Sequence, residues 1–172
     1  IAQYADLPKQ RVLVSGSTGL IGLQLCAFLQ AAGHEVVRLT RPSTVLPPDV
    51  TDQPCVVWDD QTGEVLEGSL EGFDTVIHLA GAGIGDKRWN AERKALIRSS
   101  RTVPTENLVR LFSTLETPPK TFLSGSAVGY YGNRGDEQLT ESSPAGDGFL
   151  SQLAQDWEAA AAPAQDLSLI HI

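Results

Sequence analysis

The chain switches repeatedly between short, nearly continuous apolar runs and longer stretches in which apolar residues recur every three or four positions. The runs are Arg11–Ser15 (RVLVS), Glu35–Leu39 (EVVRL), Pro54–Trp58 (PCVVW), Asp74–Ala80 (DTVIHLA) and Lys120–Gly125 (KTFLSG). Each has strand length, and apolar residues at successive positions suit strands covered on both faces. Helical spacing runs through Leu20–Ala32, a short stretch near Leu66–Glu71, Trp89–Leu115 and Phe149–Ala162. Gly33 supplies a stop for the first of these, and Pro104 predicts a kink in the third. Arg41–Gln53, rich in Pro and Asp, and Tyr130–Asp147, rich in Gly and Asp, read as loops. Strands that alternate with helices predict an α/β domain built on a doubly wound parallel sheet with right-handed crossovers.

Between the first strand and the first helix, Gly16, Gly19 and Gly22 stand at three-residue intervals. In that context G-x-x-G-x-x-G suits the pyrophosphate of a dinucleotide, as in a Rossmann fold. Gly16 permits the tight turn, Gly19 lets backbone approach the phosphates, and Gly22 lets helix and strand pack closely. The helix start adds free N–H groups and a partial positive charge. A tight turn with no ligand would show the same glycines, but the further strands downstream favour the binding role. The candidate phosphate-binding residues are therefore Gly16, Ser17, Thr18, Gly19, Leu20, Ile21 and Gly22.

A sheet of this kind binds ligands at the carboxyl ends of its strands. The other ends here carry Thr40 and Arg41, then Leu79, Ala80 and Gly81 on to Gly83, then Ser124 to Ser126, most of them small residues that leave room for a cofactor. The end of strand two decides which dinucleotide is preferred. An acidic residue there would bond the ribose hydroxyls and select NAD, but none is present. Thr40 and Arg41 instead suit a 2′-phosphate, which makes NADP the expected cofactor and NAD the less favoured one.

Composition narrows the setting. A length of 172 residues supports one domain with a real core. The formal charge of −8 argues against nucleic acid or an anionic membrane as partner and favours a small-molecule substrate. No apolar run is long enough to span a bilayer, and no signal peptide opens the chain. Cys26 and Cys55 lack metal-ligand spacing and read as buried thiols in a reducing compartment, so a cytoplasmic location is expected. His34, His78 and His171 form no metal pattern, and His78, inside an apolar run, reads as structural.

The ends are read separately. Residues 1–10 form a polar lead-in or linker, and the absence of methionine predicts that Ile1 is not a natural start. Residues 167–172 (LSLIHI) match the in-frame translation of a transposon-end adaptor used in sequencing libraries, and are expected to be a scar. That leaves residues 11–166 as an incomplete Rossmann domain, truncated before its C-terminal substrate part. Truncation predicts an unpaired edge at Lys120–Gly125 that exposes Phe122 and Leu123, and with it aggregation and weak NADPH binding.

These motifs, VLVSGSTGLIG, GHEVVRLTR, FDTVIHLAGAGIGDKRW, Ser100-Arg101, SGSAVGYYG, and GDGFL with WEAAA, occur in an order that covers nearly the whole chain up to Asp166. The chain resembles the extended or atypical short-chain dehydrogenase/reductase superfamily, in its NAD-dependent epimerase/dehydratase-like (sugar-nucleotide epimerase-like) subgroup. The resemblance implies NADP contacts from Thr40, Arg41, Leu79, Ala80 and Arg101, and an oxidoreductase or epimerase acting on a small hydroxylated or nucleotide-linked substrate. Extended members often dimerise, so a homodimer is compatible with the full-length protein. Ala82 and Gly83 depart from the Glu-Asn usual in the subgroup.

The resemblance also implies a catalytic Ser or Thr after strand five and a Tyr-x-x-x-Lys pair on the next helix. Ser126 matches the serine. Phe149 and Leu153 stand where the pair should be. Phenylalanine cannot transfer a proton, and leucine cannot hold a ribose. Two readings therefore stay open. In one, Ser126 stabilises the reacting oxygen and Tyr130 or Tyr131 moves the proton. In the other, the domain is a non-catalytic NADPH-binding sensor or interaction module, with Tyr130 and Tyr131 as packing aromatics.

Overall fold

The structure, a computed structural model, describes residues 8–167 and the backbone of 170–171. Most of the lead-in and part of the final hexapeptide lie outside the described residues. Strand β1 (Arg11–Ser15) leads through the glycine turn into helix α1 (Leu20–Ala31) and on to β2 (Glu35–Thr40). After a 3₁₀ turn at Pro48–Val50 come β3 (Cys55–Trp58), β4 (Val65–Glu67) and β5 (Thr75–His78). Helix α2 (Ala91–Phe112), β6 (Thr121–Ser124), a 3₁₀ turn at Val128–Tyr131, α3 (Phe149–Ala161), a 3₁₀ segment at Ala162–Leu167 and β7 (Ile170–His171) complete the order.

The sheet runs β4-β3-β2-β1-β5-β6-β7. β1 lies parallel to both β2 and β5, so the chain winds outward from β1 in two directions. Alternate residues of each strand feed two cores, as the period of two in a strand requires. Val12, Val14, Val36 and Ile77 pack with Cys26 of α1 on one face. Leu13, Val37, Leu39, Val76 and Phe122 pack with Leu108, Phe112 and Ala161 of α2 and α3 on the other. Across that second core Phe112 meets Phe122 edge-on, with ring centroids 5.2 Å apart.

Three expectations need correction. The stretch near Leu66–Glu71 is not helical. Asp59 Oδ1 accepts the N–H groups of Gln61 and Thr62, and Gly63 N–H bonds back to the Asp59 carbonyl. That turn folds β4 back antiparallel on β3, so the sheet is parallel except at this edge. Cys55 is half-buried, while Cys26 is buried; both are free thiols. The edge at β6 is not open: Thr121 and Phe122 pair with Ile170 and His171, and Phe122 is fully buried. Pro104 lies inside α2, which continues past it to Phe112, as the helical spacing through Trp89–Leu115 implies.

Helix α2 starts where the Asn90 side chain accepts the Arg93 N–H at 2.7 Å, filling one of the orphan donors of the first turn. Near Pro104, the Thr105 hydroxyl donates to the Arg101 carbonyl at 2.6 Å and receives the Trp157 indole N–H at 3.1 Å. This buried pair ties α2 to α3 behind the carboxyl ends of β5 and β6.

Candidate functional site

At the switch point between β1 and β5, the carboxyl ends of β1, β2 and β5 open a cavity of about 350 Å³. Gly16, Ser17, Thr18 and Gly19 form one wall, Thr40 and Arg41 a second, and Leu79, Ala80 and Gly81 a third. Nine predicted residues from three separate segments thus meet in one place.

The glycine turn is built by close contact. Gly16 sits at φ +68°, and a Cβ on it would lie 2.7 Å from the Leu79 carbonyl carbon. A Cβ on Gly22 would lie 2.2 Å from the Gly16 carbonyl oxygen. Gly19 is different: its Cβ would meet only that same oxygen, at 3.3 Å. Gly19 is also the N-cap of α1, which has no side-chain cap and no acidic residue in its first turn. The helix therefore begins with unfilled N–H donors and a positive dipole end, a ready anion site.

A second feature points to a ligand at the same place. Ser17 is 2% exposed, and its hydroxyl has no hydrogen-bond partner although it lines the cavity. A buried polar group left unpaired is costly unless something completes it. The residues present thus fit a diphosphate-bearing ligand. Leu20 and Ile21, at 88% and 67% exposed, and buried Gly22 flank the helix start without lining the cavity.

Arg41 stands at the rim, more than half exposed, with its guanidinium 3.7 Å from the Asp60 carboxylate. Its backbone N–H bonds the Thr44 hydroxyl, which shapes the loop after β2. The sequence reading missed Thr44, Trp58 and Asp60, all of which line this cavity, together with Ser15, Leu39, Leu96 and Ser100. Leu96 and Ser100 arrive from α2, and only the tertiary fold reveals them. The Asp59–Gly63 turn could have flagged Asp60 as lying at a strand end.

The loop after β5 is held from behind. Ala82 N–H bonds the Ser100 hydroxyl at 3.0 Å, and Arg101 Nη1 bonds the Ala82 carbonyl at 3.1 Å. Arg101 lies over the Trp157 ring and beneath Gly81, and burial lowers its pKa. It supports the cavity wall and does not line it. His78, at the end of β5, is fully buried; its Nδ1 pairs with Ser15 Oγ at 2.6 Å, and burial pushes its pKa down to about 4.

A second cavity, about 510 Å³, lies between the end of β6 and α3. Ser124, Ser126 and Tyr130 line it; Tyr131 does not, and instead meets Tyr130 edge-on at 5.2 Å. Ser124 Oγ is buried without a partner. Ser126 Oγ donates to Glu158 Oε1 at 2.5 Å, so in this arrangement its proton is committed to a carboxylate of α3. Glu158 lines this cavity and was missed, because nothing local pairs it with Ser126. Phe149 packs edge-on against Trp89 at 5.4 Å, and Leu153 is buried. The positions expected for a Tyr-Lys pair are thus occupied by packing side chains. Among the described residues no cluster of His, Cys, Asp or Glu could hold a metal ion.

A parallel sheet wound both ways from β1, with a glycine turn and an uncapped helix start over the switch point, defines a Rossmann-type domain. The chain belongs to the NAD dependent epimerase/dehydratase family, whose profile matches residues 12–166. It is 40% identical over 157 residues to an epimerase family protein of Mycobacterium leprae, covering 91% of this chain and 48% of that protein. Among solved structures it resembles the nucleoside-diphosphate sugar epimerase from Corynebacterium glutamicum at 37% identity and a TM-score of 0.77, covering 99% of this chain and 35% of that one. It also resembles human epimerase family protein SDR39U1 (isoform2), solved with NADPH, at 34% identity and a TM-score of 0.71, covering 88% of this chain and 48% of that one. The chain spans about half the length of the curated relatives it matches.

Proposed function

We propose that this chain is the cofactor-binding part of an NADP-dependent epimerase or oxidoreductase acting on a small hydroxylated or nucleotide-sugar substrate. The observation that carries the reading is the switch-point cavity, where an uncapped helix start, an unpartnered Ser17 hydroxyl and Arg41 stand around one space. The glycine turn and α1 would hold the pyrophosphate, and Thr40 and Arg41 the adenosine 2′-phosphate. When bound, the nicotinamide supplies hydride transfer. The NADPH in the SDR39U1 structure and the sugar-nucleotide name of the Corynebacterium relative support the same choice. The net charge of −8 favours a small-molecule partner over nucleic acid. No helix among the described residues is long and apolar enough to cross a membrane.

The Arg41–Asp60 contact makes cofactor choice testable. A 2′-phosphate must draw the Arg41 guanidinium away from Asp60, and a charge-assisted bond to phosphate is worth about 1.5–3 kcal/mol. Fluorescence titration of this chain is expected to show NADPH binding more tightly than NADH. Arg41→Ala should lose about that much for NADPH and little for NADH. Equal affinity for both cofactors in the unmodified chain would rule out the 2′-phosphate assignment.

A specific observation favours a second reading, a non-catalytic NADPH-binding module. Phe149 and Leu153 are built into packing, and Ser126 is tied to Glu158. Under the enzyme reading, catalysis instead falls to the second cavity, where Tyr130 is the phenol beside Ser126. In the full-length protein, NADPH oxidation across carbonyl and nucleotide-sugar substrates separates the two readings. If the domain is an enzyme, Tyr130→Phe and Ser126→Ala are each expected to cut turnover by about 10²–10⁴-fold. Normal turnover in both variants would remove these residues from the chemistry, and no turnover with any substrate would favour the binding module.

A further inference from the structure

Arg38 occupies the middle of β2 and is only 2% exposed. Its neighbours on that face of the sheet are apolar, with Val12, Val14, Val36 and Cys26 forming the α1-side core. Such a position ordinarily takes valine or isoleucine. Here the guanidinium is held by neutral acceptors. Nη1 donates to the Ser17 carbonyl at 2.7 Å, and Nε donates to Gln53 Oε1 at 3.2 Å, which also accepts from Gln30 of α1 at 3.1 Å. No carboxylate forms an ion pair with Arg38 among the described residues. A desolvated cation without a counter-ion is one of the more costly things a core can hold.

Its location suggests what offsets that cost. Ser17 and Thr18 belong to the glycine turn, and both line the switch-point cavity. The peptide between them is planar and trans, so its C=O and N–H point in opposite directions. Drawing the Ser17 carbonyl onto Arg38 turns the Thr18 N–H away from the guanidinium. The same contact places a full positive charge beneath the turn, beside the uncapped start of α1. Two weaker positive features, the helix dipole and the loop N–H groups, are thereby backed by a buried cation.

We propose that Arg38 is a positioning residue for the diphosphate of the bound dinucleotide. It fixes the Ser17–Thr18 peptide and supplies a charge that the protein itself leaves uncompensated and that the ligand's phosphates neutralise. This rests on the dinucleotide reading of the cavity. It is separate from the role of Arg41, which faces the 2′-phosphate at the other end of the cavity wall.

The test compares ADP, which carries the diphosphate, with adenosine, which does not. Both are titrated into this 172-residue chain and its variants by NMR at low ionic strength. Arg38→Met is expected to weaken ADP at least tenfold and to leave adenosine within about twofold. Arg38→Gln, which keeps an amide donor but no charge, should lose ADP affinity in the same selective way and covers the case in which Arg38→Met does not fold. The unmodified chain should also lose more ADP affinity on adding salt than either variant, because one fewer charge is left to screen. Equal losses for ADP and adenosine would make Arg38 a structural pillar only, and unchanged ADP affinity would overturn the proposal outright. An unmodified chain that binds neither probe would instead overturn the dinucleotide reading on which the proposal stands.

Discussion

Gly22→Ala is expected to unfold the domain or to leave it with little stability. One added methyl group would sit 2.2 Å from the Gly16 carbonyl oxygen and 2.7 Å from Ser17 Cα, both backbone atoms. Relief requires α1 to lift from β1, which breaks the packing of Cys26 against Val12 and Val14. Overpacking against side chains already costs about 1–3 kcal/mol, and rigid backbone gives less room, so a loss of about 3 kcal/mol or more is expected. That is a large share of the roughly 5–15 kcal/mol that holds a typical domain together. Urea denaturation followed by circular dichroism reads the loss directly. Gly19→Asp is the control. Its Cβ would meet only the Gly16 carbonyl oxygen, at 3.3 Å, a shift of a few tenths of an ångström rather than a clash, but it brings bulk and negative charge to the helix start, so it should fold and fail to bind NADPH. Equal stability of Gly22→Ala and the unmodified chain would mean that α1 does not depend on this contact.

The second large effect is a loss of stability in mild acid. The pKa of His78 is about 4 in the folded chain because burial disfavours the imidazolium, against an ordinary value of 6.5. Above pH 6.5 the ring is neutral in both states and adds no pH dependence. Between 6.5 and 4 the unfolded chain takes up a proton that the native chain refuses, so stability falls with pH. Below 4 both states are protonated and this contribution levels off. The gap corresponds to about 3 kcal/mol. Asp74 and Glu71 have pKa values lowered by hydrogen bonds, Asp74 from the Arg11 N–H and Glu71 from Thr117, so their losses come at more acid pH. The window from pH 7 to 5 therefore isolates His78. Urea midpoints should drop across it, and His78→Leu should flatten the slope whatever it costs at pH 7. A slope that survives this substitution would assign the effect to another group.

Much of this fold can be read along the chain because its determinants are local. The β1–α1–β2 unit falls where the apolar runs and the glycines place it, to within a residue at its boundaries. Thr40, Arg41, Leu79 and Ala80 come together because strand ends of a doubly wound sheet must converge. The failures have the opposite character. Leu66–Glu71 has apolar spacing that suits a helix, but the Asp59–Gly63 turn outweighs it and makes a hairpin. Glu158 reaches Ser126, and Arg38 reaches Ser17, across separations that no periodicity encodes. Arg38 is also hidden by its setting, since one charge in an apolar strand looks like a tolerated exception. Arg101 stood out by resemblance, but its guanidinium is drawn to the Ala82 carbonyl, behind the wall it was expected to form.

The central place of β1 has a consequence for the order in which the chain assembles. Its register with β2 joins residues 24 apart, as in Arg11 and Glu35. Its register with β5 joins residues 63 apart, as in Ser15 and His78. Closing the longer loop costs about 0.9 kcal/mol more in chain entropy, and the contacts that reward it come only afterwards. On a ribosome the first pairing can form while β5 is still unmade. The glycine turn lies within that early unit, so it can be shaped before the wall it will face exists. Gly16 then serves as the docking point onto which the Leu79 backbone closes, and a bulky residue there would stall the chain half-assembled, with β1 exposed along one side.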